Sequence, residues 1–542
     1  MRAYVPVLGL IVSLLAACQP GGTDPVKAFV DHFEVEGRTF NPDKLAGSAD
    51  PESMQITVVF SSPVNLDRLD RGKLYLSGYN GALSIVAGPT ETAVTVCPES
   101  ALEPFRRYSL VVEKGENLGL SLIDEYRLNI ITAYDTSDKF PRIGDEELLT
   151  LVQRQTFRYF WDYAHPVCGL ARERLGSDGT VTTGGSGFGI MTLPVAVERG
   201  FVTREEAAER LRTIVGFLAG KADRFHGAFP HWLNGSTGAT IPFSANDDGG
   251  DLVETSFLME GLLAAAMYFD RPEEADIRNA IDAIWRGVEW DWYTRGGQDV
   301  LYWHWSPDKD WAMNMKISGW NEGLMSYLLA AASPTHPIPA SAYHKGWARD
   351  GAIKNGRRFY DITLPLGSDL GGPMFFAHYS FLGLDPRGLK DDYADYWEQN
   401  VAHARINHAY CAANPRKHAG YSADCWGLTA SDISGGYTAS SPSNDRGTIA
   451  PTAALASMPY TPEESLAAMR TFYYVYGDRL WGEYGFRDAF SLDSAWFASS
   501  CIAIDQGPIV VMIENYRTGL LWECFMKHPD VCSGLKKLGF RR

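Results

Sequence analysis

The sequence predicts a mainly α-helical protein: an (α/α)6 toroid, which is a double ring of twelve helices, behind a small N-terminal β-sandwich. Three observations support this prediction. Short runs of alternating apolar and polar residues recur between residues 28 and 135. Beyond residue 136, a glycine-ending loop leads into an apolar segment six times. Amphipathic, more charged segments lie between these six, as expected of outer helices that cover inner ones.

Residues 1–18 have the pattern of a lipoprotein signal peptide. An apolar stretch from Val5 to Ala17, too short to span a membrane, ends in Leu-Ala-Ala-Cys18, which resembles the bacterial lipobox. The resemblance implies lipidation of Cys18, and Gln19 after it implies an outer-membrane lipoprotein that faces the periplasm or the cell surface. An ordinary signal peptide with an incidental cysteine is the alternative. Residues 19–27 are expected to form a polar tether.

The composition favours an uncharged ligand. The 542 residues are 45% hydrophobic and carry a net charge of −17, spread along the chain. Nucleic acid and other polyanions would be repelled, so a neutral glucan polysaccharide or oligosaccharide is the expected partner. The 15 Trp and 26 Tyr offer aromatic faces on which sugar rings can stack, although most will fill the core. A monomer is expected.

Apart from Cys18, seven cysteines remain, so at least one thiol must be unpaired. Cys411 with Cys425, and Cys524 with Cys532, are close enough in sequence to form disulfides, but spacing alone does not assign them. Neither a CxxC pair nor a zinc-like His/Cys spacing occurs, so no metal and no other cofactor are expected.

Residues 28–135 are expected to form the β-sandwich. Turn residues separate six strand-like runs at intervals of roughly ten positions. The runs are MQITVVF (54–60), KLYLSGY (73–79), ALSIVAG (82–88), TAVTVCP (92–98), RRYSLVVEKG (106–115) and YRLNIITAY (126–134). FSSPVNLDRL and LEPFRRYSLVVEKG loosely resemble bacterial Ig-like domains, which implies a spacer or docking module.

Pro141 and Gly144 mark the change from strands to helices, and residues 136–542 are expected to form the catalytic domain. The six inner segments follow glycines 187, 250, 319, 372, 447 and 507. Two outer helices have clear start signals. Thr203 and Glu206 have the spacing of a capping box, and Thr461, Pro462 and Glu464 open another helix.

In such a ring the inner helices run in one direction, and the loops before them open at a common rim. Polar and aromatic residues that converge on one concavity indicate a ligand site. The candidate substrate-binding residues on these loops are Arg172, Glu173, His231, Trp232, Lys316, Trp320, Asp432, Tyr437 and Arg487, and Asp488 and Asp505 are expected at the same rim.

Four carboxylates, Asp247, Asp248, Asp251 and Glu254, stand at the start of the second inner segment. Their mutual repulsion is costly unless something uses them. Glu254 and Glu322 follow leading glycines on consecutive inner helices, whose axes would pack roughly 8–10 Å apart. Their carboxyl groups could therefore have the separation of roughly 6.5–9.5 Å that inverting glycosidases need to admit a water.

We therefore predict catalytic roles for Glu322, Glu254, Asp247 and Asp251. Desolvation by Trp311 and Trp320 would raise the pKa of Glu322 and favour it as the general acid, and the other three would supply the base. Structural interpretations remain open. Asp251 and Glu254 also have the spacing of a capping box, a rim arginine is often only a salt-bridge partner, and His231 could be a core or capping histidine.

Seven segments, taken in order, resemble the bacterial glycoamylase-like domain shared with endo-β-1,2-glucanases, glycoside hydrolase family 144. They are WDYAHPVCGLARER, VTTGGSGFGIMTLPVAVERGFVTREEA, DGGDLVETSFLMEGLL, MKISGWNEGLMSYLLAAASPTHPI, SDISGGY, GTIAPTAALASMPYTPEES and GPIVVMIENYRTGLLW, within roughly residues 145–530. The resemblance implies an (α/α)6 barrel that hydrolyses β-1,2-glucan by inversion and without a cofactor. It places the family's acidic candidates on Asp247, Asp251, Glu254 and Glu322 without dividing acid from base, and the unusual SDISGG run leaves the role of Asp432 open.

Other functions remain open from the sequence alone. The enzyme could hydrolyse another neutral glucan, such as an α-glucoside or a different β-glucan. A polysaccharide lyase would need a polyanionic substrate, which the charge of −17 disfavours. A surface glycan-binding lipoprotein without catalysis would need aromatic and amide groups but not four clustered acids.

Overall fold

The computed structural model describes residues 24–542. The predicted signal peptide, Cys18 and the first residues of the predicted tether lie outside this range. The chain divides into two compact units at Asp135–Thr136. The first unit is built from strands and the second mainly from helices, and each is considered by itself below.

The N-terminal unit contains twelve strands, including all six runs predicted from the sequence. The strands are β1 (Val26–Ala28), β2 (Val30–Val35), β3 (Arg38–Phe40), β4 (Leu45–Ala49), β5 (Ile56–Phe60), β6 (Leu74–Ser77), β7 (Leu83–Ala87), β8 (Ala93–Pro98), β9 (Arg107–Val112), β10 (Gly115–Asn117), β11 (Leu120–Leu122) and β12 (Tyr126–Thr132).

Two main sheets build this unit. One has the order β3-β2-β5-β8-β7 and the other β4-β12-β9-β6, while β1, β11 and β10 form a small third sheet. Side chains alternate between the core and solvent along β5, so that Ile56, Val58 and Phe60 are buried. Residues from both main sheets share one hydrophobic core. The predicted β-sheet unit is therefore present, while its Ig-like kinship stays a prediction.

The helical unit begins where the sequence changes character, because Gly144 directly precedes the first helix. The helices are α1 (Asp145–Trp161), α2 (Thr183–Glu198), α3 (Arg204–Gly220), α4 (Leu252–Tyr268), α5 (Ala275–Arg286), α6 (Leu324–Ala332), α7 (Ala340–Ala342), α8 (Tyr396–Ala413), α9 (Pro451–Leu455), α10 (Pro462–Arg470), α11 (Gly477–Leu480), α12 (Ala503–Arg517), α13 (Leu520–Met526) and α14 (Pro529–Lys537).

Five of these helices, α2, α4, α6, α9 and α12, are buried along nearly their whole length, as the apolar segments predicted. Helix α2 packs against α4 and α12, α4 also packs against α6, and α12 also packs against α9. More polar helices cover them: α1 lies against α12, and α14 lies against α6. Closure of these neighbours into a ring of twelve helices stays a prediction.

Glycines allow α2 and α4 to approach closely. A Cβ atom on Gly187 would lie 2.2 Å from the carbonyl oxygen of Phe257, and one on Gly261 would lie 2.1 Å from the carbonyl oxygen of Gly187. Both obstacles are backbone atoms of the opposite helix, so no side chain larger than hydrogen fits at this crossing.

Three of the six predicted inner helices differ from expectation. Helix α2 begins at Thr183, so Gly187 lies inside the helix and does not lead into it. The segment after Gly372 forms two short 3-10 turns, Met374–Ala377 and Tyr379–Phe381, because its closely spaced aromatic rings pack in different directions and are weak helix formers. Helix α12 begins at Ala503, so Gly507 lies inside the helix and does not lead into it. A Cβ atom there would lie 2.4 Å from the Cβ of Phe188 in α2, so this glycine also serves helix packing.

Of the two predicted helix starts, the one at α3 is confirmed and the one at α10 is confirmed only in part. At α3 the capping box is confirmed, since the Thr203 hydroxyl accepts the Glu206 N–H (3.2 Å) and the Glu206 carboxylate accepts the Thr203 N–H (2.8 Å). At α10 Pro462 is the first residue as predicted, but the Thr461 hydroxyl does not cap the helix. It contacts Ser457 and Ser465 instead, which leaves it unable to turn towards the helix start.

Short strands decorate the helical unit. They are β13 (Thr180–Thr182), β14 (Trp232–Asn234), β15 (Thr240–Ile241), β16 (Gly250–Asp251), β17 (His304–Trp305), β18 (Arg358–Phe359), β19 (Ile362–Thr363), β20 (Ala430–Ile433), β21 (Gly436–Ala439), β22 (Trp481–Gly482), β23 (Gly485–Phe486), β24 (Phe490–Ser491) and β25 (Trp496–Phe497). Strand β13 leads into α2, and β16 leads into α4.

The seven cysteines in the described range are all unbridged, including the pairs Cys411/Cys425 and Cys524/Cys532. Burial raises the pKa of the Cys411 and Cys501 thiols to about 12, so both are inert at neutral pH. Among the described residues, no helix has the length and apolar character that crossing a bilayer requires.

Candidate active site

A cavity of about 340 Å³ opens where the N-terminal ends of the buried helices meet the short strands. Its wall combines carboxylates, aromatic rings and one arginine, as ligand sites do. The residues that define its chemistry are Glu173, Arg174, His231, Trp232, Phe243, Glu254, Trp303, Glu322, Tyr379 and Tyr437.

Asp251 holds one side of this site in place. One carboxylate oxygen caps α4 by accepting the N–H groups of Val253 (3.0 Å) and Glu254 (2.9 Å). The other accepts from His231 Nδ1 (3.0 Å) and from the Trp303 indole N–H (3.1 Å). The side chain is fully buried and does not line the cavity. Its four hydrogen bonds indicate that Asp251 positions His231, Trp303 and the start of α4.

His231 lies among three carboxylates. Its Nδ1 is 3.0 Å from Asp251 and 4.0 Å from Asp247, and its Nε2 is 3.9 Å from Glu254. Burial opposes protonation, but the charge of Glu254 and the contacts with Asp251 and Asp247 prevail and raise the pKa of His231 to about 9. The imidazolium therefore supplies the positive charge that lets these acids stand together.

Glu254 faces the cavity from the first turn of α4. Asp251 and Glu254 form only half of a capping box, because the Glu254 carboxylate turns away and accepts the backbone N–H of Gly184 (2.7 Å) in the first turn of α2. Burial raises the pKa of Glu254, while His231 and the Gly184 N–H oppose that shift. A Cβ atom on residue 184 would lie 2.7 Å from the carboxylate, so glycine is needed there.

Glu322 faces the same cavity from just before α6. Burial, reinforced by the negative charges of Asp251 and Glu254, raises the pKa of Glu322 to about 7. The Ser380 hydroxyl donates to the Glu322 carbonyl (2.5 Å), which ties this loop to the two 3-10 turns. Glu322 is therefore a carboxylic acid that can be protonated near neutral pH.

Aromatic rings line the cavity beside these acids. Phe243 stacks on His231 with ring centres 4.1 Å apart, and Trp232 meets Phe243 edge to face at 4.9 Å. Phe243 is 48% exposed, so it presents an apolar face to whatever enters. Such faces suit the apolar C–H surfaces of sugar rings.

A second group of acids lies at and behind another part of the wall. Arg174 lines the cavity and pairs with Glu173 (2.9 Å) and with Asp432 (3.0 Å). Behind them lie Asp488 and Asp505, whose pKa values burial raises, and each has one carboxyl oxygen without a hydrogen-bond partner within the described residues. Tyr379, which lines the cavity, is 3.5 Å from Asp505.

The structure brings together six of the thirteen predicted site residues at the cavity wall: Glu173, His231, Trp232, Glu254, Glu322 and Tyr437. Asp247, Asp251 and Asp432 stand behind the wall and contact residues that form it.

Four predicted substrate-binding residues lie elsewhere. Arg172 stacks over Tyr163, Lys316 lies exposed near Tyr302, and Arg487 donates to the carbonyl of Ser499. Trp320 is only 7% exposed and packs against Phe381 and Tyr396 in the core. These four side chains do not line the cavity, because the loop backbone decides the direction of each side chain, and their roles in substrate binding stay predictions.

Several wall residues escaped the sequence interpretation. Arg174 stands next to two candidates, Trp303 belongs to the aromatic run LYWHW, and Tyr379 lies in the segment that was expected to be a regular inner helix. Trp303 had a usable signal, because an aromatic residue between two rim segments is a natural sugar platform. Nothing local marks Tyr379.

Three side chains lie as close together as the ligands of a metal ion do. Ligand atoms of His231, Asp247 and Asp251 lie within 4.8 Å of one another. Two of these side chains are joined directly, because His231 Nδ1 lies 3.0 Å from the Asp251 carboxylate.

Comparison with known proteins places this chain in a family. A family model described as "Putative glucoamylase" matches residues 314–529. The endo-β-1,2-glucanase from Chitinophaga pinensis, solved with sophorotriose and glucose, is 52% identical. The match covers 74% of this chain and 99% of that one, with a TM-score of 0.72.

Two relatives from Parabacteroides distasonis agree. A β-1,2-glucanase structure is 40% identical, covering 93% of this chain and 74% of that one with a TM-score of 0.72. An exo β-1,2-glucooligosaccharide sophorohydrolase acting at the non-reducing end is 48% identical over 418 residues, which are 73% of this chain, and the chain spans 58% of the length of that curated relative. The chain belongs to the glycoamylase-like family of β-1,2-glucanases, glycoside hydrolase family 144.

Proposed function

We propose that the protein is a glycoside hydrolase that cleaves β-1,2-glucan and its sophoro-oligosaccharides by general acid/base hydrolysis with inversion. One observation carries this proposal: Glu254 and Glu322 face a single cavity that aromatic rings also line, and the charge of Glu254 helps to keep Glu322 protonated. The activities of the Chitinophaga and Parabacteroides relatives support the choice of substrate.

In this mechanism Glu322 is the general acid. Its carboxyl proton passes to the glycosidic oxygen as the bond from that oxygen to the anomeric carbon breaks. A water on the opposite face of the sugar attacks the same carbon and gives its proton to a carboxylate base. Glu254 is the base in our proposal, because the imidazolium of His231 and the Gly184 N–H both favour its ionised form.

Asp505 is the alternative source of the base, since it lies 3.5 Å from Tyr379 of the cavity wall and its Oδ2 has no hydrogen-bond partner among the described residues. The two are separated by chemical rescue. Glu254→Gln should lose about 100-fold in kcat, and sodium azide should restore roughly tenfold by attacking without a base. Asp505→Asn should not respond to azide. Rescue of Asp505→Asn alone would move the role of base to Asp505.

The pH dependence should report Glu322. Because the pKa of Glu322 is raised to about 7 and the acid acts in its protonated form, kcat/KM should fall as pH rises through about 7. Above that point the fall should approach about tenfold per pH unit. Initial rates of reducing-sugar release between pH 5 and 9 measure this. A rate that stays level up to pH 9 would contradict the assignment of Glu322.

The substrate is tested with purified linear β-1,2-glucan beside starch and laminarin. We expect β-1,2-glucan alone to be degraded, with sophorose-based products of inverted anomeric configuration seen by NMR. The product lengths distinguish endo from exo action. Turnover of starch or laminarin alone would favour another neutral glucan, an unsaturated uronide from a uronate polymer would reveal a lyase, and binding without hydrolysis would leave a glycan-binding protein.

We propose that the buried helices close into the predicted (α/α)6 toroid. The helix contacts support this. They link α6 to α4, α4 to α2, α2 to α12 and α12 to α9, as expected of part of a ring. The two 3-10 turns would stand in the place of the remaining inner helix. An experimental structure in which these turns do not bridge α6 and α9 would exclude a closed ring.

We also propose that Cys18 is lipidated, that the protein is an outer-membrane lipoprotein facing the periplasm or the surface, and that it acts as a monomer. The lipobox-like run at residues 15–18 supports the anchor. Mass spectrometry of the mature N-terminus tests it, and an unmodified N-terminus other than Cys18 would refute it. Light scattering of protein lacking residues 1–18 tests the monomer.

A further inference from the structure

An open groove of about 470 Å³ lies on the helical unit around Trp292, outside the cavity wall described above. Trp292 is 38% exposed, which makes it the most exposed tryptophan among residues 24–542. Its indole ring presents an apolar face on which a ligand ring can stack.

Neighbouring side chains hold the Trp292 indole ring in place. His226 lies parallel to it, with ring centres 3.6 Å apart and an angle of 13° between the planes. His226 in turn contacts the Glu289 carboxylate through Nδ1 at 2.7 Å. Trp305 supports the assembly edge to face, 5.7 Å from Trp292. A ring fixed in this way loses little conformational freedom when a ligand stacks on it.

Polar groups surround the ring. Glu289, Asp291, Gln298 and His336 line the groove, and His336 and Asp291 are 3.2 Å apart. Carboxylate and amide oxygens beside an aromatic face match the hydroxyl groups and the C–H face of a sugar. The two carboxylates disfavour an anionic ligand, so a neutral carbohydrate fits the groove.

The groove connects to the cavity through aromatic residues. Trp303 lines the cavity, and Trp305, two positions further along the chain, is the last residue of β17. The ring centre of Trp305 is 5.7 Å from that of Trp292 in the groove. These three aromatic residues lead from the cavity towards the groove.

We propose that the Trp292 groove is a second glucan-binding site that holds the part of a long β-1,2-glucan chain outside the cavity. This inference rests on the proposed function. It means that binding strength depends on chain length, since a short oligosaccharide occupies only the cavity, whereas a polymer also stacks on Trp292.

The test measures binding in the Glu322→Gln background, which prevents degradation of the ligand. Affinity electrophoresis and calorimetry are run with linear β-1,2-glucan of about 20 units and with the β-1,2-linked tetrasaccharide. Trp292→Ala should weaken polymer binding about tenfold and change tetrasaccharide binding by less than twofold. Trp292→Phe, which keeps a flat ring, should recover most of the loss. Tyr516→Ala is the matched control, because Tyr516 is similarly exposed at 39%, and it should leave both affinities unchanged.

Equal polymer affinity for Trp292→Ala and its parent would overturn the inference while leaving the proposed function intact. An equal loss for polymer and tetrasaccharide would also overturn it, because the effect would then belong to the cavity. If the parent bound neither ligand, the proposed function and this inference would fail together.

Discussion

Replacing Glu322 by glutamine should lower kcat on linear β-1,2-glucan by about 1,000-fold while substrate affinity stays within a few-fold of wild type. Glutamine keeps the size and hydrogen-bonding capacity of the side chain but has no acidic proton, so the leaving oxygen would depart unprotonated. General acid catalysis contributes about 10²–10⁴-fold. The pKa of about 7 places the wild-type proton where it is available at neutral pH. Stopped assays of reducing ends and calorimetry with the polymer measure the two quantities.

An aryl sophoroside with a strongly acidic phenol sharpens this test. Its leaving group needs no proton, so Glu322→Gln should recover much of its rate on this substrate, whereas a variant lacking the base should not. The control is Glu205→Gln, since Glu205 is an exposed carboxylate in the first turn of α3. If Glu322→Gln hydrolysed the polymer at a rate within tenfold of wild type, Glu322 would not be the general acid.

Gly187→Ala should destabilise the helical unit by about 3 kcal/mol or more. The added methyl group would meet the carbonyl oxygen of Phe257 at 2.2 Å and the Cα of Leu258 at 2.6 Å. Both are backbone atoms inside α4, so only separation of the two helices can relieve the overlap. We expect poor soluble yield and a melting temperature lower by about 5 °C or more, followed by circular dichroism at 222 nm.

Gly216→Ala is the matched control, because it is the same substitution in an exposed helical position. Gly216 lies in α3, and a Cβ atom there would meet nothing within 4 Å. Alanine has the higher helix propensity, so this variant should be as stable as wild type or more stable by about 0.5–1 kcal/mol. If Gly187→Ala and Gly216→Ala had the same melting temperature, close packing of α2 on α4 would not be the reason for glycine at position 187.

The acid-rich stretch 247–254 illustrates how far sequence reasoning reaches. The cost of clustered carboxylates pointed to a site, and the structure does place Glu254 at a cavity. The stretch itself does not reveal that Asp251 is engaged by four hydrogen bonds or that Glu254 turns to Gly184. Three of those partners are distant in sequence and become neighbours only on folding: His231 just before β14, Trp303 just before β17 and Gly184 in α2.

The glycines illustrate the opposite case, in which a correct pattern had a different cause. Their recurrence before apolar segments was interpreted as a series of leading loops, but Gly187 and Gly507 lie inside helices. The periodicity of a sequence indicates that a residue is buried. It does not indicate which residue of another helix packs against it. The same limit explains Trp320, whose position beside Glu322 suggested the cavity and whose ring packs into the core.

By itself, the sequence determined the division into a strand unit and a helical unit, most of the buried helices, the family and a set of four candidate acids, Asp247, Asp251, Glu254 and Glu322. These follow from periodicity, capping chemistry and motifs, all of which are local along the chain. Only the tertiary structure decided which acids face the cavity, which act behind it and where Tyr379 and Trp292 stand. Side-chain direction depends on loop backbone and on helix rotation, and long-range packing fixes both.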